Sequence, residues 1–242
     1  FESDQNKSIL ININNKFNIN IDKVRLDKDN ILKNFVGHLT FKNKKINNGK
    51  LEGLFTSNKK LKLTINKKGN NRITTLFLDR AEPIIRRYKF IKGFEQGVLD
   101  FYSTSNGEET RSTLKIYNFK LKEMPALTKV LTLASLQGIA DIMSGEGIRF
   151  DEFEMNFKDH KDLINIEEIY AIGPAISILM EGYIEKKRLI SLRGTLVPAT
   201  TINKFIGSIP VLGNILVGAK TGEGVFGVSF KIKGPPKNLE TT

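Results

Sequence analysis

Hydrophobic and polar residues alternate along most of this chain. Between residues 189 and 197, Ile190, Leu192, Gly194 and Leu196 fall on one parity and Ser191, Arg193 and Thr195 on the other. Further on, Phe226, Val228, Phe230 and Ile232 alternate with Gly227, Ser229 and Lys231. A period of two with one apolar side predicts half-buried β-strands. Pro198 ends the first of these, because it cannot donate to a ladder. Ile176, Ile178, Met180 and Ile184 keep the same rhythm, with Glu181 and Glu185 on the opposite parity. The turn Glu185-Lys186-Lys187 makes that strand and the next a hairpin, so their apolar residues share one face. A slip of one residue would put that face in water, which makes the register firm. Ile178, Leu192 and Val228 are expected inside, and Ser191, Arg193 and Ser229 outside.

The N-terminal half carries the same pattern in shorter pieces. Ile9, Ile11 and Ile13 alternate with Asn12 and Asn14, and Phe17, Ile19 and Ile21 follow a turn expected at Asn14-Asn15. Further strands are predicted over 35–41, 51–55, 61–65 and 73–78. The breakers between them are Asn47-Asn48-Gly49, Ser57-Asn58 and Gly69-Asn70-Asn71. Residues 93–102 and 113–121 form the next hairpin, with Ser105-Asn106-Gly107 at its bend. Such spacing predicts an antiparallel meander.

Two segments switch to helical spacing. Over 79–88, Asp79 stands as N-cap, Pro83 falls in the first turn, and Ile84, Ile85 and Tyr88 share a side. Over 126–143, introduced by Pro125, an apolar arc runs through Leu127, Val130, Leu131, Ala134, Gly138 and Ile142, widened by Leu133, Leu136 and Ile139. A final β block opens at Ile148. The predicted class is α+β, mainly antiparallel β: an extended, twisted sheet or open groove with two or three helices packed on it. A β-meander part (1–125) and a second part (126–242) are expected to form one continuous unit. Between 199 and 219 lies an apolar, glycine-containing insert, and its run 205–219 carries no charge. It is too short to span a bilayer, which needs ~20 residues, and Pro210 interrupts it. Short helical turns packed on the sheet are expected there. No internal repeat of fixed period is found.

Several strings in the second half resemble one family. RGTLVPA (193–199), IPVLG (209–213) and GEGVFGVSFKIKGP (222–235) resemble the C-terminal region of the AsmA-like family, with its YhdP- and TamB-related bridge-like lipid-transfer proteins. LTLASLQGIADIMSGEGIRFDEFEMNF (131–157) and GPAISILMEGYI (173–184) are similar to preceding elements of that region, in the same order. The resemblance implies a long open β-groove in the periplasm of Gram-negative bacteria, anchored in the inner membrane through a segment outside this fragment. It implies passage of phospholipid toward the outer membrane, and so a part in outer-membrane biogenesis, without catalysis or cofactor. The lipid-groove candidates are Ile176, Ile178, Met180, Ile190, Leu192, Leu196, Phe226, Val228 and Phe230. Phe205, Ile206, Ile209, Val211, Leu212, Ile215 and Leu216 are candidates for closing the groove or touching a bilayer. The helix over 126–143 is read as a core element, or as one lying over the groove. The alternative reading is a periplasmic scaffold or envelope-assembly protein with a closed core and no lipid.

Composition adds little to this and excludes much. The 242 residues are 40% hydrophobic and carry a formal charge of +12. A basic balance admits nucleic acid or an anionic membrane surface as partner. The lysine clusters at 42–45, 59–62 and 186–188 sit at strand ends and turns, where they blunt sheet edges. Nucleic-acid binders concentrate such charge with aromatics on one element, so that partner is not expected. There is no cysteine, hence no disulfide framework or thiol nucleophile. Phe1 opens the chain without a signal peptide, so a fragment of a longer protein is expected. His38 and His160 are the only imidazoles, both in lysine-rich surroundings. No HExxH or comparable cluster suggests a metal site. Glu152 and Glu154 flank Phe153 as the exposed side of a strand would. Residues 213–221 approach the phosphate-loop pattern, but Ala219 separates Gly218 from Lys220 and spoils the spacing. No enzyme is expected.

Overall fold

The structure, a computed structural model, describes residues 14–43, 45–86, 92–123, 125–133, 145–198, 227–236 and 238–242. The strands are β1 (Asn15–Arg25), β2 (Ile31–Lys42), β3 (Lys45–Phe55), β4 (Lys60–Lys68), β5 (Asn71–Leu78), β6 (Lys92–Ser105), β7 (Glu109–Glu123), β8 (Ile148–His160), β9 (Leu163–Ile172), β10 (Ile176–Glu185), β11 (Leu189–Pro198), β12 (Val228–Gly234) and β13 (Glu240–Thr241). They make one 13-stranded sheet in which every strand pairs antiparallel with its neighbour in sequence. The expected meander therefore holds, and it runs unbroken across residue 125, since β7 pairs with β8.

Helix contributes less than the α+β label implies. The described α-helices are α1 (Glu82–Ile85) and α2 (Pro125–Leu133), with one 3-10 turn at Thr56–Asn58, so the fold is mainly β. The helix expected over 79–88 is described only as α1. Its N-cap is Ala81, without a side-chain hydrogen bond, not Asp79. Asp79 is instead bonded to β4: its Oδ2 accepts from the Lys60 amide at 2.9 Å, and its own amide donates to the Lys60 carbonyl at 2.9 Å. The expected breaker Asn47-Asn48-Gly49 lies inside β3. A Cβ on Gly49 would come within 2.6 Å of Leu39 Cδ2, so glycine there clears room for the β2 side chain. The Asn48 side chain accepts from the Lys67 amide at 3.0 Å.

Left-handed residues, with no shift of register, adjust which residues of β6 and β7 face in. Gln96 (φ +66°) and Gly97 (φ +84°) interrupt β6, and Asn118 (φ +53°) interrupts β7. A side chain at Gly97 would crowd Phe94, Ile116 and Phe119. Phe119 stacks between Phe94 and Phe150, its ring centroid 5.3 Å from each.

One end of the sheet is closed. There Leu32, Phe55, Leu78, Phe94, Phe150, Ile176 and Leu196 are buried with Ala81 and Ile85 of the α1 region and with Leu127, Val130 and Leu131 of α2. Helix α2 also lies against β13. On a flat sheet β13 would stand six strand spacings from β7, about 29 Å. A nine-residue helix starting beside β7 is only about 13 Å long. The sheet therefore curls around the face on which the helices sit, and that face is its interior.

Candidate functional site

Residues directly opposite in neighbouring strands share a face, so the register traces rows across the sheet. One row runs Ile19, Gly37, Leu51, Leu63, Leu76, Phe101, Leu114, Met155, Ile169, Met180, Gly194 and Phe230. It crosses twelve strands without a polar side chain. At about 4.8 Å per strand it measures about 53 Å along the sheet. The adjacent outer row reads Asn18, His38, Lys50, Thr64, Thr75, Tyr102, Thr113, Asn156 and Glu168, without an aliphatic residue. The two faces are thus separated by chemistry over most of the sheet.

The interior face is sealed at the helix-covered end and less covered toward the hairpin turns. Leu78 and Leu196 are fully buried at the sealed end, whereas Leu63, Leu76, Phe101, Leu114, Met155 and Leu192 are half-buried. The groove candidates divide along this line. Ile176, Ile178, Leu196 and Phe230 are buried, and Met180, Ile190, Leu192 and Val228 are half-buried, all on the interior face. Ser191, Arg193 and Ser229 take the outer parity, as expected. Phe226 and the groove-closing candidates Phe205, Ile206, Ile209, Val211, Leu212, Ile215 and Leu216 lie outside the described residues, as do residues 134–143 of the second expected helix.

Sequence reasoning missed the N-terminal half of the row, from Ile19 to Leu114. It also missed β9, whose parity changes between Ile166 and Ile169, where Glu167 and Glu168 absorb a register shift. The signal for the former was present in the alternation, but nothing in one strand says which strand it faces.

The outer face holds the polar chemistry. Glu152 and Glu154 lie opposite in parity to Phe153, as expected, and meet Tyr170 of β9. The Tyr170 hydroxyl donates to Glu154 Oε2 at 2.7 Å and contacts Glu152 Oε1 at 3.2 Å. Lys115 pairs with Glu154 at 2.6 Å, and Asn156 donates to its other oxygen at 2.8 Å. Partial burial opposes the Glu154 charge, but the bonds from Lys115, Tyr170 and Asn156 outweigh it and hold the carboxyl below its usual range. Burial and the Glu154 carboxylate push the Tyr170 phenol up. These carboxylates are engaged in holding strands together. Two open hollows of about 220 and 300 Å³ adjoin Tyr102 and Thr113 on this face. His38 lies in the outer row, and His160 is exposed at the end of β8. Among the described residues no helix is long and apolar enough to cross a membrane. No protein-family model matches the chain, and neither does any curated protein or solved structure.

Proposed function

We propose that this chain holds phospholipid acyl chains against the interior face of its sheet and lets them move along it without covalent chemistry. The observation that carries this is the twelve-strand apolar row backed by a polar outer face. An acyl chain needs continuous apolar contact, each buried methylene being worth about 0.8 kcal/mol. A row of similar Leu, Ile, Phe and Met side chains offers contacts of nearly equal strength from strand to strand, so a bound chain has no deep trap along it. Placement in a periplasmic assembly anchored in the inner membrane, carrying phospholipid toward the outer membrane, rests on the resemblance of the C-terminal strings to AsmA-like proteins. The second reading, a scaffold with a closed core, has the sealed helix-covered end in its favour.

Native mass spectrometry of the purified protein distinguishes the two. Co-purifying phospholipid retained through a high-salt wash supports the groove, because salt screens headgroup attraction and leaves acyl contact in place. Leu192→Asp and Leu63→Asp, at half-buried positions water can reach, are expected to stay folded and lose that lipid. Lipid released completely by salt, or folded variants that retain it at the wild-type level, would overturn the reading.

A further inference from the structure

The interior face changes character along the hairpin-turn rim of β4 to β8. The outermost row there reads Lys67, Arg72, Ser105, Thr110 and Asp159. Beyond it, over β9 to β11, the same row is Ile164, Ile184 and Ile190. The next row inward holds Thr74, Ser103 and Ser112 beside Ile65 and Phe157. A polar patch with two cations therefore sits on the apolar face, in the middle of the sheet.

Lys67 and Arg72 stand directly opposite each other, and like charges so placed are destabilising. Among the described residues neither side chain has an ion pair or hydrogen bond to offset this. Lys67 is exposed and Arg72 half-buried, so water and an incoming anion can reach both. Asp159, at the far end of the row, is already taken by Lys186 at 2.7 Å. Ser105 accepts from the Thr110 hydroxyl at 2.9 Å and adds neutral hydroxyls beside the cations.

We infer that this rim is a headgroup site, in which Lys67 and Arg72 hold the phosphate of an anionic phospholipid whose acyl chains lie along Leu63, Leu76 and Phe101. The inference rests on the acyl-binding reading above and adds the substrate class to it. Dimensions agree. Leu76 is four residues from Arg72, about 14 Å along β5. One leaflet of a bilayer's hydrocarbon core is about 15 Å thick. Leu78, fully buried two residues further on, marks the sealed end. Two unpaired cations suit a phosphate with no ammonium group attached better than a zwitterionic headgroup.

The test uses delipidated protein and three probes with the same acyl chains: phosphatidylglycerol, phosphatidylcholine and diacylglycerol. The wild type should bind phosphatidylglycerol most tightly. The double variant Lys67→Gln, Arg72→Gln should lose about tenfold or more for it, the worth of one charge-assisted hydrogen bond, with diacylglycerol binding unchanged. The control is Lys60→Gln, Lys62→Gln on the outer face of the same strand, which should change nothing. If that control loses as much, the effect is general surface charge and the site is refuted. Equal wild-type binding of all three probes, unaltered in the rim variant, refutes the headgroup site while leaving acyl binding standing. Binding of none refutes acyl binding itself. Displacement of phosphatidylglycerol by millimolar inorganic phosphate would make free phosphate the ligand and overturn the lipid assignment.

Discussion

Glu154 ties three strands of the outer face together: Lys115 reaches it from β7, Asn156 from its own strand and Tyr170 from β9. Because its folded pKa is depressed, its contribution to stability is present above the ordinary value of 4.5 and is lost as pH falls through the folded value. Glu154→Gln should therefore be less stable at neutral pH and show a flatter loss of stability in acid. Denaturant titrations at a series of pH values would show this, and an unchanged acid limb would contradict it. Tyr170 is the mirror case. With its pKa raised, its contribution is complete below the ordinary value of 10.0 and is lost as pH rises through the folded value. Ultraviolet titration should find a phenol that ionises well above pH 10, and Tyr170→Phe should abolish that step. Loss of its hydrogen bond to a carboxylate should cost roughly 1–3 kcal/mol.

At the scale of elements, burial decides what each apolar position is worth. Leu196 is fully buried and Leu192, four residues along the same strand, is half-buried. Leu196→Ala should cost about 2–5 kcal/mol and Leu192→Ala about 1–2. Equal losses, measured by chemical denaturation, would mean that the strand is sealed along its whole length. Asp79→Ala should cost about 1 kcal/mol by freeing the start of β4 from the end of β5. That residue also shows what the sequence could and could not convey. Asp before a proline and an isoleucine pair looks like a helix cap, yet its partner is the Lys60 amide, nineteen positions earlier. Strand parity was legible where period two survives through a whole strand, as with Ile190, Leu192 and Leu196. It failed where an extra residue entered, as at Glu167 and Glu168 in β9. Asn47-Asn48-Gly49 looked like a turn because the Leu39 side chain that needs the glycine's space belongs to another strand. The polar rim was illegible for a related reason: Lys67 and Arg72 flank a turn, and only the register places them on the apolar face.

For the molecule as a whole, acyl binding and a filled core imply different couplings between lipid and stability. A curled sheet whose interior face is half-covered over many strands leaves apolar surface in water when lipid is removed. A ligand that binds only the folded state stabilises it by mass action, by about 2.7 kcal/mol at a hundred times its dissociation constant. For a chain of 242 residues that corresponds to a rise in Tm of roughly 5–11 °C. Delipidated protein titrated with phosphatidylglycerol below its aggregation threshold should show such a rise, and it should grow with lipid concentration. Leu63→Asp, which puts a charge in the row at β4, should fold yet show a much smaller rise. A protein with a dry, filled interior has no such surface to cover, so its Tm would stay flat across the titration in wild type and variant alike. A rise of equal size in both would point to adsorption on the basic outer face. That outcome is separable because screening at high salt removes adsorption and spares acyl contact.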